Sequence, residues 1–395
     1  MNRLHKTIIS SLLVLAALFS LAGCKTNTSP SEQVPEEHFF NIFNSACVKH
    51  GDHIYIIDRL LFTHDSKKVL YCIDTSSGEA FPLCFKPECT HDTSECGALL
   101  GGGTGYAMNL MLYNERLYWI VFDRSKYTLR SMDLDGSDLR IDTELDTELA
   151  KLAFGYGTAE IDNGVLYVCG SSVDVENAAP IHRGIVYCQP ISGGKATEIL
   201  RVDGDFLHLF GNVFGDHFYF GVCDSQNYIE PPPERHPLSL YSYDIGSGEK
   251  ELLVSSEVYG YCSDIIMPDQ DTLILSHMYG DVLRYSISTK ELSVIFSPME
   301  LLGRRPRSDV AEDRISILTS DHRYVIDFDG NCVFDEDLDL ERFVGEDVGT
   351  VYVGSSGNDA YYYLLPSSQI GCYLIRIDLY SGEMTVVWHG EMPMD

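Results

Sequence analysis

The chain has 395 residues, 59 acidic against 28 basic, for a net charge of −31, with 45% hydrophobic and 22% charged side chains. So acidic a surface repels polyanions and argues against nucleic acid as a partner, while the hydrophobic share suffices for a packed core and excludes a disordered chain. Tyr (24) and Phe (18) are abundant and long Ala/Leu/Glu/Lys-rich windows are lacking, which favours strands over helices.

In chain order, Arg3 and Lys6 precede an apolar run from Ile8 to Ala22 that stops at Leu21-Ala22-Gly23-Cys24. A basic start, a short apolar stretch and small residues before a cut describe an export signal, and the run is short for a membrane span. Leu-Ala-Gly-Cys resembles the lipobox of bacterial lipoproteins. That resemblance implies cleavage before Cys24 and lipidation of Cys24. The acyl chains would hold the protein at the outer face of the cytoplasmic membrane, or at the outer membrane of a two-membrane cell. The competing reading is an ordinary secretory signal followed by a chance cysteine. Residues 1–23 then form the signal peptide, 24–37 the lipidated Cys and a polar, Pro-containing flexible tether, and 38–395 the folded domain. Cleavage removes Arg3 and Lys6 and no acid, so the mature charge is about −33.

From there two short patterns alternate. One is a turn leading into an apolar strand, at Gly51, Asn114, Asn163, Gly215, Asp271, Asp313 and Asn358. The other is a strand running into a tight turn that ends at Glu79, Asp138, Lys195, Glu249, Glu291, Asn331 and Glu383. Each occurs seven times, in step, at spacings of roughly 40 to 60 residues, the period of a β-propeller blade. Short stretches such as EKELLV, KELSVIF and MTVVWHG follow the second pattern, and FNSACVKH, LAFGYGTAEI and TVYVGSSG precede the first. That makes four strands per unit. The fold expected is all-β: a β-propeller of seven four-stranded blades, with six or eight as alternatives. The Asp-Gly and Ser-Gly-Glu sequences are turn chemistry, and Asp133 to Asp138 reads as one such turn rather than a calcium loop.

Over about residues 39–390 these repeats resemble bacterial lipoproteins with TolB-like or quinoprotein-like β-propellers. Departures from other propellers are plain: no repeated Trp-Asp, no kelch double-glycine signature, no sialidase box, and no Gly-x-Ser-x-Gly of a hydrolase domain.

In such a ring, connections between the first and second and between the third and fourth strands lie on one face and are short here. The long stretches 59–68, 85–105, 173–183, 224–237 and 297–308 belong to the other, which is therefore the expected binding face. On it the sequence places Tyr228, Arg235 and His236 within a Pro-stiffened segment, and Arg304, Arg305 and Arg307 in the densest basic patch of the chain. Guanidinium forks suit carboxylates and phosphates, although such runs also occur as solvated loops. Between the first two blades, Cys84, Cys89, His91 and Cys96 have the donor types for a structural zinc ion. A Cys89–Cys96 disulfide fits the same spacing in an exported protein. No catalytic residue emerges. The function expected is a membrane-anchored module binding a protein, peptide or glycan. The alternatives are a propeller enzyme acting on polysaccharide or lactone (a lyase or hydrolase), or a structural part of an envelope complex.

Overall fold

Two-residue turns set the repeat. At Asn114-Glu115 and Asn163-Gly164 both residues have positive φ, the backbone that matches the twist of a tight hairpin. The computed structural model describes the chain from Cys47 to Gly390, except 59–67, 92–95, 102–105, 124–125, 155–157, 177–178, 205–206, 225–235, 259–260, 279–280, 298–306, 312–313, 319–321, 338–347, 357–358 and 367–371. The lipobox and tether lie outside the described residues. Residues 40–395 form one compact unit.

Seven antiparallel blades of four strands follow one another, so the fold is a seven-bladed β-propeller. Blade 1 comprises β1 (Cys47–His50), β2 (His53–Asp58), β3 (Lys68–Asp74) and β4 (Glu79–Pro82), with an added strand β5 (Leu99–Gly101). Blade 2 is β6 (Tyr106–Tyr113), β7 (Arg116–Asp123), β8 (Lys126–Asp133) and β9 (Arg140–Glu144). Helix α1 (Thr147–Phe154) leads to blade 3: β10 (Thr158–Asp162), β11 (Val165–Glu176), β12 (Ala179–Pro190) and β13 (Thr197–Gly204). Blade 4 is β14 (Leu207–Phe214), β15 (His217–Asp224), β16 (His236–Asp244) and β17 (Lys250–Val258). Blade 5 is β18 (Tyr261–Asp269), β19 (Thr272–Met278), β20 (Val282–Ser286) and β21 (Glu291–Phe296). Blade 6 is β22 (Arg307–Ala311), β23 (Arg314–Leu318), β24 (His322–Asp327) and β25 (Cys332–Asp337). Blade 7 is β26 (Val348–Ser356), β27 (Asp359–Pro366), β28 (Cys372–Asp378) and β29 (Met384–Gly390).

Each blade comes from one continuous stretch of chain, so the ring closes through side chains rather than a shared strand. The core lies in the seams. One cluster joins Val353, Tyr361 and Leu374 of blade 7 to Ile54 and Leu70 of blade 1 and on to Trp119 of blade 2, and separate clusters fill the other seams. Each fully buried large aliphatic side chain contributes about 1.5–3 kcal/mol, so every seam carries a substantial share of the stability.

Two stretches differ from the sequence reading. The segment LAFGYGTAEI, expected to begin a strand, starts inside α1. Asp146 caps that helix, accepting the Glu148 N–H on Oδ1 at 3.1 Å, and Leu149, Ala150, Leu152 and Ala153 are buried between blades 2 and 3. The stretch 173–183, expected as a loop, is mostly paired backbone. β11 and β12 run on together to Glu176 and Ala179, making the longest hairpin among the described residues.

A second regularity has no counterpart in the sequence reading. In blades 2 to 5 and 7 the outer strand carries one extra residue at the same place, Asp142, Ile199, Leu253, Ile295 and Val387; in blade 6 the extra residue, Val333, stands two residues nearer the turn. These are β-bulges, which bend and twist a strand edge. In two blades the turn between the third and fourth strands rests on the bulge residue of the preceding blade. A methyl group added to Gly78 of blade 1 would lie 2.6 Å from the carbonyl oxygen of Val387 in blade 7. In blade 6, Gly330 fits as closely against Ile295 of blade 5. Blade 5 has Lys290 in place of the glycine, with φ 58, and its Nζ bonds Glu251 of blade 4 at 2.6 Å.

Candidate functional site

The Cys/His segment is built on this bulge. In blade 7, Ile375 faces Val386 and Leu374 faces Trp388, leaving Val387 as the single unpaired residue. In blade 1, Tyr71 faces Pro82, and the next residue, Leu70, marks the corresponding point. Its carbonyl accepts the N–H of Leu83 at 2.8 Å, and its own N–H donates to the carbonyl of Ala98 at 2.8 Å. Beyond it Val69 pairs with Leu99 and Lys68 with Gly101. β2 occupies the other edge of β3, so β5 continues the line of β4. The outer strand of blade 1 is thus broken at the bulge position, and residues 83–97 stand where blades 2 to 5 and 7 have one residue. The sequence assigns the stretch 85–105 to the loop-bearing face; in the structure residues 83–97 are an excursion from the outer strand.

Its two stems place the donors. Cys84 follows Leu83 directly, and Cys96 stands two residues before Ala98. Between them the Cys89 N–H donates to the Lys86 carbonyl at 3.1 Å, turning the chain back. His91 has φ 56, an uncommon backbone for a residue with a side chain. One donor atom from each of Cys84, Cys89, His91 and Cys96 lies within 4.8 Å of all the others. His91 Nδ1 is 3.3 Å from Cys96 Sγ. The three thiols are free; Cys96 is buried and Cys84, Cys89 and His91 are half-buried. Val69 and Ala98 pack with Cys96, and Tyr71, Leu99, Cys84 and Cys89 pack around them.

The thiols differ in acidity. Burial pushes Cys96 up to about 12, helped by its hydrogen bond with Cys89 and the charge of Cys84. At Cys84 burial acts the same way but is outweighed by donors, the Lys86 N–H first and then the Cys89 and Cys96 thiols, so its pKa is lowered. One thiolate is favoured here, and a second beside it is not.

Blade 2 closes over the stems. Around Gly136, in the turn between β8 and β9, an added methyl would sit 3.0 Å from the backbone of Leu83 and Cys84. Tyr55 of blade 1 donates to the Leu134 carbonyl of the same turn at 3.3 Å. Two acids of this turn are engaged by arginine, Asp133 by Arg116 and Asp138 by Arg116 and Arg140, and the third, Asp135, accepts the Ser137 N–H. That is how the Asp133–Asp138 sequence is used.

Of the other sequence-predicted site residues, Tyr228, Arg235, Arg304 and Arg305 lie outside the described residues, as does Cys24. The backbone places His236 at the start of β16, opposite Val258, and Arg307 at the start of β22, opposite Leu318. Both positions are strand ends on the face that carries the longer connections. Cys169 and Cys188, on the paired strands β11 and β12, are free thiols. His322 sits between two exposed carboxylates, Asp335 at 2.8 Å and Asp337 at 2.9 Å, tying β24 to β25.

No protein-family model matches the chain, and no curated protein matches its sequence. Solved structures do resemble it. The β-propeller domain of the Trilobed protease from Pyrococcus furiosus, which has an open velcro topology, superposes with TM-score 0.51 at 9% identity, over 87% of this chain and 94% of that one. A prolyl endopeptidase gives 0.51 at 12% identity over 90% and 52%, and Pyrococcus horikoshii acylaminoacyl peptidase 0.51 at 10% over 88% and 53%. The chain spans about half the length of these two peptidases. At such identities the likeness establishes the β-propeller fold and no more.

Proposed function

We propose that the chain is an extracytoplasmic lipoprotein, anchored through Cys24, whose propeller binds a protein, peptide or glycan on one face. The observation that carries this reading is the asymmetry between the faces. Gly51-Asp52, Asn114-Glu115, Asn163-Gly164 and Gly215-Asp216 make two-residue turns on one side. The segments 59–67, 225–235, 298–306 and 338–347 join strands on the opposite side, where binding residues concentrate on a rigid scaffold. His236 and Arg307 begin strands there, next to Arg235 and to Arg304 and Arg305 in sequence, and guanidinium groups would favour a carboxylate- or phosphate-bearing ligand.

The anchor and the face are tested separately. The full chain expressed in a bacterial host should incorporate a labelled fatty acid and partition into detergent. The Cys24→Ser chain should do neither. If Cys24→Ser still takes up label, the lipobox reading falls. The detergent-purified chain is then screened on acidic glycan and peptide arrays. Binding should be lost when Arg304, Arg305 and Arg307 are changed together to Glu and kept when Asn163→Asp alters the plain face. The reverse pattern would overturn the assignment of the face, and turnover of a bound glycan would replace binding with catalysis.

A further inference from the structure

We propose that Cys84, Cys89, His91 and Cys96 hold one zinc-class divalent cation, and that this ion clasps the break in the outer strand of blade 1 against blade 2. A tetrahedral zinc site has bonds of about 2.3 Å to sulfur and 2.0–2.1 Å to nitrogen, so its ligand atoms stand roughly 3.5–3.8 Å apart. Here all four donors already lie within 4.8 Å of one another, and the His91–Cys96 pair, at 3.3 Å, is slightly shorter than such an edge. Closing the site takes a contraction of the order of an ångström, within reach of side-chain rotation.

The donor set selects the ion. Three thiolates and an imidazole suit a borderline-soft metal and not magnesium or calcium, which take oxygen ligands. Four protein ligands fill a tetrahedron and leave no position for water or substrate, so the role is structural. On binding, each thiol loses its proton to solvent while three metal–sulfur bonds and one metal–nitrogen bond form, with no change of oxidation state. The neutral imidazole and the dication leave the site with one net negative charge.

The position gives the ion its purpose. Both stems are held by the hydrogen bonds of Leu70 to Leu83 and Ala98, and Cys84 and Cys96 project from those stems. A cation joining them restores across space the continuity that one bulge residue gives the other blades. It does so beneath the turn around Gly136, where blade 2 rests on the Leu83–Cys84 backbone. A disulfide, by contrast, uses two sulfurs and leaves the third thiol and His91 without a reason to converge.

The test uses the full chain purified without oxygen or chelator. Native mass spectrometry should show one zinc per chain. Exchange with cobalt(II) should give thiolate charge-transfer bands and the intense visible bands of a tetrahedral ion. Cys89→Ser should lose the metal, while Cys332→Ser, at an exposed thiol on β25, should keep it. Should Cys89→Ser fail to fold, His91→Cys decides: it should retain one equivalent, with the cobalt spectrum shifted towards four sulfur ligands. A metal-free chain two protons lighter would make the cluster a disulfide and overturn the proposal. So would a cobalt spectrum identical in the parent and the His91→Cys chain.

Discussion

The two joints that flank blade 1 use the same design and different materials. Where blade 1 rests on blade 7, the turn at Gly78 meets a bulge of one residue, Val387, held within a continuous strand. Where blade 2 rests on blade 1, the turn at Gly136 meets the stem of an excursion that runs from Leu83 to Gly97. The first joint is rigid because hydrogen bonds on both sides of the bulge fix it. The second has one hydrogen bond from Leu70 on each stem, and beyond these depends on whatever closes the excursion. The repeat therefore specifies a contact surface, a backbone carbonyl beneath a turn, and tolerates very different ways of presenting it.

The largest effect is expected at the closure of the ring. Gly78 has φ 73 and its added methyl would meet a backbone oxygen that cannot rotate away. Gly78→Ala should cost about 2–4 kcal/mol, combining the left-handed penalty with displacement of Val387. Gly51→Ala is the control: φ is 55 there, yet no atom lies within 4 Å of the added methyl. It should cost only about 1–2 kcal/mol, the backbone penalty alone. Equal losses for the two in denaturant unfolding would mean that the turn-on-bulge contact adds nothing. Gly136→Ala sharpens the comparison. With the excursion clasped by metal its cost should approach that of Gly78→Ala; after chelation it should fall towards that of Gly51→Ala, because the stem can then yield. A cost independent of metal would separate the ion from the joint.

Acid acts on the same turns more weakly. The Asp74 carboxylate is held at about 2, against 3.8 ordinarily, by the hydroxyl and N–H of Ser76, with the Ser77 N–H adding a smaller share. Asp244 is lowered by Ser247 in blade 4, Asp327 by the Asn331 side chain in blade 6, and Asp378 by the N–H groups of Ser381 and Tyr380 in blade 7. A carboxylate with a depressed folded pKa contributes stability that is complete above its unfolded value. That contribution is lost as pH falls through the folded one. The melting temperature should therefore drop between about pH 4 and pH 2, and less steeply in Asp74→Asn than in the parent chain. Parallel curves would show that Asp74 carries none of the acid sensitivity.

What could be read in advance follows from the range of the signals. Blade number and the two turn patterns were legible because alternation and turn residues are local: Asn163-Gly164 announces its hairpin without reference to anything else. Helix α1 had a signal in Asp146, Glu148 and the apolar spacing of Leu149, Leu152 and Ala153, but its length, eight residues, let it pass for a strand. Val173-Asp174-Val175-Glu176 alternates as a strand does, yet its polarity read as loop. The bulges were invisible, since one more residue in a half-exposed outer strand changes no pattern. The cysteines and His91 were legible as a donor set. Their place was not, because it depends on β5 returning to β3 some thirty residues on, a pairing no short window contains.

The smallest change in stability, and the sharpest comparison, comes from deleting residues 84–97 so that Leu83 runs directly into Ala98. Blade 1 would then carry a single bulge residue, as blade 7 does, with Leu70 paired to Ala98 in the way Leu374 pairs to Trp388. Closing a loop of about 15 residues costs about 3 kcal/mol in chain entropy, and the proposed metal would offset that cost in the parent chain. The deletion removes both terms. Its stability should lie within about 1 kcal/mol of the metal-loaded protein, the residue being the packing of Cys96 against Val69 and Ala98. Chelator should lower the melting temperature of the parent and leave that of the deletion unchanged. A deletion variant that folds and still responds to chelator would place the metal elsewhere. One that does not fold would show that the excursion belongs to the core of blade 1 and not to its joint with blade 2.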